Sequence, residues 1–236
     1  MEASPTSTGF RQISVLLRGE PEPINAWIQQ WNPARALLHV GVIVAGTGLY
    51  GAAMGYWRDP LQALFVAVKF PLIILMTTLG NGLLNGMLAP LLGLNLSFRQ
   101  CLQSILMSHT ITAAILGAFS PVMFFMIWNA PLMSAHDRTG YDFIMLGHVL
   151  VIAFAGMAGN LRLGRLLAQM GGSVAVGRRV LFAWLAGNLL LGSQLSWILR
   201  PFIGAPDLPV QFLRKEAFNG NFFETIFRTV HQLLSS

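Results

Sequence analysis

Long apolar runs alternate with short polar connections through the middle of this chain, and shorter amphipathic segments stand at both ends. Residues 10–19 are short and amphipathic. Over 22–33, Ile24, Trp27, Ile28 and Trp31 recur at i, i+3, i+4 and i+7, the spacing of one helical face. Pro23 suits a first turn and Pro33 marks an end. Two readings of this helix stand: it lies in the membrane interface, or it caps the bundle.

The first run, about 34–56, is long enough to cross roughly 30 Å of hydrocarbon. Trp57 and Arg58 close it as an interfacial aromatic and a headgroup charge would. The second run, about 60–93, exceeds one upright span and is interrupted by Lys69, Pro71 and Gly80-Asn81-Gly82. It reads as one kinked span over 61–85 with an irregular continuation to Leu94, or as two half-helices. Ser97 is placed to cap the next helix. The third run, about 101–128, contains Pro121, which should bend it. A polar loop at 129–142 precedes a fourth span from Phe143 to about Leu163. The fifth, about 180–199, stops at Arg200-Pro201. The proline-rich stretch after it predicts an extended loop packed on something. Beyond Gly220, Phe223, Ile226, Phe227, Val230, Leu233 and Leu234 keep helical spacing. The expected fold is an all-α polytopic transmembrane bundle of about five spans with amphipathic interfacial helices at both ends. Its parts are an N-terminal segment at 1–33, the bundle at 34–200, and a loop and terminal helix at 201–236. There is no convincing internal repeat.

Composition sharpens the class. Of 236 residues, 54% are hydrophobic and only 10% charged, against about 25% charged in soluble domains. Mean hydropathy is +0.61. An ordinary soluble enzyme and a disordered chain are excluded. The net charge of +6 comes from basic residues scattered at the ends of apolar runs, which fits anionic lipid headgroups and not nucleic acid. The single cysteine, Cys101, permits no intrachain disulfide and no Cys-rich metal site. No cleavable signal is expected, since Arg11, Arg18, Glu20 and Glu22 fall where its apolar core would lie. Arg162, Arg165, Arg178 and Arg179 crowd the connection between spans four and five. The connections after spans one and three carry only Arg58 and Arg138. The bias favours a cytoplasmic N-terminus.

Several residues invite chemistry. Lys69 within a span is a pathway candidate, or a lysine that snorkels or pairs with a carbonyl. His109 and His148, on separate spans, raise a bis-histidine haem. Their depths differ by roughly 10 Å, which favours hydrogen bonding between helices instead. Asn81, Asn85, Asn160, Asn188, Ser193 and Gln194 line a polar path or join helices. Gly51 with Gly55, and Gly82 with Gly86, have the spacing that lets helices approach. Zinc-protease, nucleophile-elbow and phosphate-loop motifs are absent. His136, Asp137 and Arg138 form a polar cluster in the loop before span four, either an acid–base group or a solvated turn. Trp197, Arg200, Pro201 and Arg214 read as a tail anchor first and a binding site second.

The segment Lys69-Phe70-Pro71-Leu72, followed by Leu96-Ser97-Phe98-Arg99-Gln100, resembles bacterial integral membrane proteins of uncharacterised function, as does the segment from Trp197 to Arg214. The first is also similar to the Yip-type five-helix membrane proteins, whose eukaryotic members act as trafficking scaffolds. That resemblance covers the first three spans and implies a five-helix bundle, N-terminus inside, without catalysis. It carries over no functional residue, and the proline-rich tail departs from the Yip pattern. The expectation is therefore a multi-pass protein of the bacterial inner membrane. It would act as a non-enzymatic scaffold or complex subunit, with no cofactor, and with lipids and other subunits or itself as partners. The alternative is a channel or small transporter using Lys69 and the polar residues of spans two and three.

Overall fold

A computed structural model of the chain describes residues 5–131, 139–205 and 208–235. His136, Asp137 and Arg138 lie outside the described residues. The described chain forms α1 (Pro5–Arg18), α2 (Pro21–Gln29), α3 (Pro33–Tyr56), α4 (Pro60–Leu91), α5 (Phe98–Trp128), α6 (Thr139–Met170), α7 (Val174–Leu199) and α8 (Phe222–Ser235), with no strand. Five of these, α3 to α7, are long and apolar enough to cross a membrane, and the protein is a polytopic helical membrane protein.

The helix ends follow from capping chemistry. Ser97 and Gln100 form a reciprocal capping box at the start of α5, so the orphan amides of that first turn are satisfied by side chains. Pro33 does not end α2. It opens α3 as a first-turn proline, with the Asn32 side chain accepting from the Arg35 amide at 3.2 Å. Asp59 caps α4 in the same way, accepting from Leu61 N at 2.7 Å.

The second apolar run corrects the sequence reading. α4 is one unbroken helix through Pro71 and Pro90 to Leu91, neither irregular after residue 85 nor split into halves. Pro71 deprives the Ala67 carbonyl of its helical donor, and that carbonyl faces Gly48 of α3. α6 and α7 also run further than expected, to Met170 and from Val174. The parity of the five spans is unchanged.

α3 packs on α4 and α5, α5 on α4 and α6, and α7 on α4 and α6. α4 shows the logic of the interior. Gln62, Lys69, Thr77, Asn81 and Asn85 are at most 5% exposed, whereas Leu64, Val68, Met76, Leu79 and Leu83 point outward. Polar positions inside and leucines outside reverse the soluble pattern and are what a lipid solvent demands. Glycine notches make the close approaches. A Cβ on Gly51 would meet the Val66 carbonyl oxygen at 2.5 Å, and one on Gly55 the Gln62 carbonyl oxygen at 2.6 Å.

The N-terminal helices cap the bundle. Ile24 and Ile28 are buried with Leu16 against Met107, Ile111 and Leu166. Trp31 is not on that face: α2 ends at Gln29 and Trp31 is exposed. At the other terminus α8 presents Phe223, Ile226, Phe227 and Val230 outward.

Candidate functional site

Among the described residues the segment after α7 has no regular structure, yet it lies against the bundle as a strap. Its carbonyls are taken by α4 and the preceding turn. Gln62 Nε2 donates to the Pro201 and Phe202 carbonyls at 2.9 and 2.8 Å. Lys69 Nζ donates to the Pro201 carbonyl at 3.1 Å. Arg58 donates to the Leu208 carbonyl at 3.2 Å. Lys69 is fully buried, and its ammonium lies 5.2 Å from the centroid of the Phe212 ring. Phe212 in turn meets Phe65 edge-on at 5.5 Å. Gln62 sits seven residues before Lys69, two helical turns away, so both reach the strap from one face of α4.

The turn into the strap is held by Arg200. Its guanidinium stacks on the Trp197 ring, 3.1 Å from the centroid, and donates to the Trp197 carbonyl at 3.0 Å. Gly204, at φ +86°, then allows the chain to turn back, a conformation that favours glycine.

Under the strap lies a cavity of about 430 Å³. It lies between α6, the facing ends of α3 and α4, and the strap. Met145, Val149 and Ile152 of α6 form one wall and Met54 of α3 another. The polar groups on the lining include Arg58, Gln62, His148, Arg200 and Arg214.

His148 is 2% exposed. The Tyr50 hydroxyl stands 3.0 Å from its Nδ1 and 3.4 Å from its carbonyl oxygen. The hydroxyl donates its single proton to the carbonyl oxygen, and the Nδ1 contact is satisfied as well when Nδ1 carries the ring proton and donates to the hydroxyl oxygen. His148 Nε2 has no partner among the described residues, nor has Arg214 Nε, which is also buried.

The remaining sequence candidates lie elsewhere. Asn85 donates to Asn81 Oδ1 at 2.6 Å, and Asn81 donates to Asn188 Oδ1 at 2.7 Å. This amide chain rivets α4 to α7. His109 Nδ1 is bonded to the Thr78 hydroxyl, joining α5 to α4, whereas His148 pairs with α3. The two histidines therefore serve different seams. Asn160 and Ser193 bond within their own helices, to Gly156 and Leu190. Gln194 accepts from the Phe222 amide.

The structure thus gathers Lys69, His148, Arg200, Pro201 and Arg214 around the strap and leaves Asn81, Asn85 and His109 in separate seams. Sequence reasoning missed Gln62, Arg58 and Tyr50. Only the spacing of Gln62 to Lys69 carried a signal. Among the described residues, no group of three or more His, Cys, Asp or Glu side chains is placed to hold a metal ion. No family model, no curated protein and no solved structure matches this chain.

Proposed function

We propose that the protein is a non-enzymatic integral membrane scaffold, or a subunit of a membrane protein complex. The observation that carries this reading is the uneven burial of the spans. In the most apolar stretch of each, 44% of α3 is buried within the chain, against 22% of α6 and 17% of α7. The α6–α7 side therefore offers most of its surface to the outside, and the apolar positions of α8 add to it. Such a surface accommodates another membrane helix, a second copy of this chain or a different subunit, as readily as lipid.

The transporter reading has less support. Lys69 donates to the Pro201 carbonyl, and Asn81, Asn85 and His109 each bond a neighbouring side chain. A bacterial inner-membrane setting with the N-terminus in the cytoplasm is part of the proposal. Four arginines on the helix ends that flank the α6–α7 connection, Arg162 and Arg165 in α6 and Arg178 and Arg179 in α7, support it, and so does the resemblance to Yip-type scaffolds.

Crosslinking in native membranes tests the proposal. A discrete crosslinked species is expected, diminished by charged substitutions on the outward face of α7 such as Phe182→Asp. A strictly monomeric protein would overturn it. Ion or solute flux into liposomes that is lost in both Lys69→Ala and His109→Ala would instead establish the transporter.

A further inference from the structure

The strap cavity has the makings of a binding site. At 430 Å³ it falls within the roughly 300–1,000 Å³ of pockets that hold a small molecule. Its walls are mostly hydrocarbon, from Met54, Met145, Val149, Ile152 and the strap itself. Set into those walls are the cations Arg58, Arg200 and Arg214 and, among the described residues, no carboxylate. Arg200 uses one N–H on Trp197 and keeps the rest of its five. Arg214 buries an unpartnered Nε, and His148 an unpartnered Nε2. Asp59 and Asp142 stand on the bounding helices but not among the lining residues, and Asp207 lies outside the described residues. The level is that of the headgroups. Trp57, Trp128, Tyr141 and Trp197 mark the same end of the bundle, where α3, α5 and α7 stop and α6 begins, as interfacial aromatics do.

We propose that this cavity binds an acidic amphiphile, whose phosphate or carboxylate is met by Arg200 and Arg214 and whose hydrocarbon chain lies along Met145, Val149 and Ile152. The apolar wall excludes a free inorganic anion as the natural occupant, because the chain-lined volume would then stay empty. The guanidinium groups favour an acidic headgroup over a zwitterionic one, which would set a second cation beside them. Two sources share this chemistry: an anionic bilayer phospholipid and a free fatty acid.

Native mass spectrometry of the delipidated full-length protein in detergent, titrated with dioleoylphosphatidylglycerol, palmitate or dioleoylphosphatidylcholine, tests the site. One equivalent of phosphatidylglycerol or of palmitate is expected, at least about tenfold tighter than phosphatidylcholine. Preference for the first identifies a bilayer lipid, and preference for the second a free acid. Arg214→Gln and Arg200→Gln should each weaken binding by about tenfold. Val149→Trp, at an exposed position that leaves both arginines in place, should block the chain slot, with circular dichroism confirming the fold. Equal affinity for phosphatidylcholine would overturn the proposal. So would binding that is unchanged in Arg214→Gln and Val149→Trp.

Discussion

Gly46 sits where α3 and α5 come closest, and adding one methyl group there tests whether glycine contacts hold this bundle together. A Cβ on Gly46 would stand 2.1 Å from the Ala113 carbonyl oxygen and 2.8 Å from its carbon, both backbone atoms that no rotamer change can move. On the facing helix, a Cβ on Gly117 would be 3.0 Å from Gly46 Cα, so the seam is tight from both sides. Ordinary contact begins at 3.4 Å, so in Gly46→Ala the helices must part by roughly 1 Å, which forfeits a quarter to a half of the dispersion energy of each atom pair across the gap. A buried leucine makes contacts worth about 4–12 kcal/mol in all, and losing a quarter of one such set costs about 1–3 kcal/mol. Overpacking of cores costs about the same, 1–3 kcal/mol. Ile43, Leu106 and Ala113 are buried together around this seam, so more than one side chain is affected. Gly41, on the same helix, has nothing within 4 Å of its Cβ position, and Gly41→Ala should change stability by less than about 0.5 kcal/mol. Unfolding by sodium dodecyl sulfate from dodecylmaltoside micelles, followed by circular dichroism, measures both. If Gly46→Ala is as stable as the parent, or if Gly41→Ala loses as much, the glycine-seam argument fails.

Lys69→Met keeps the length and apolar body of the side chain but removes the donor to Pro201. A stability loss of about 1–3 kcal/mol is expected, with faster amide hydrogen exchange confined to the strap; unchanged exchange there would show that Gln62 and Arg58 hold it alone. Asn188→Ala removes the nearer of the two acceptors of Asn81 Nδ2, the other being the Trp184 carbonyl, and should cost about 1 kcal/mol in the same unfolding assay. Asn81→Ala, which cuts both links of the chain, should cost more, and equal losses would mean that the amides do not act in series.

What could be read from the sequence divides along physical lines. Spans show themselves because lipid demands a minimum apolar length, and the Ser97–Gln100 cap shows itself because its two residues are neighbours in sequence. Proline is ambiguous: at 33 it looked like a stop and is a start, because it is tolerated both in a first turn and beyond a last one. At 71, and in Gly80-Asn81-Gly82, the breaker signals were overridden. Where no water competes for the backbone, a helix is the least costly way to satisfy it, and the Asn81 amide is satisfied sideways by Asn188. Closures between distant segments left little trace. His148 and Tyr50 lie 98 residues apart and Lys69 and Pro201 lie 132 apart, and no periodicity links either pair.

Lys69 and the strap explain each other once they are considered together. A lysine about nine residues into a span, roughly 13 Å along the helix, is costly unless it is paired. Non-helical backbone at the same depth is equally costly unless its carbonyls find donors. Each supplies what the other lacks: the strap offers a carbonyl to a fully buried ammonium, and α4 offers Gln62 and Lys69 to a turn that has no helical hydrogen bonds of its own. The charge that marked Lys69 as a pathway residue is thereby accounted for by architecture. Among the described residues no carboxylate pairs with Arg200 or Arg214 at the mouth of the cavity, and any ligand chemistry of this bundle is to be sought there.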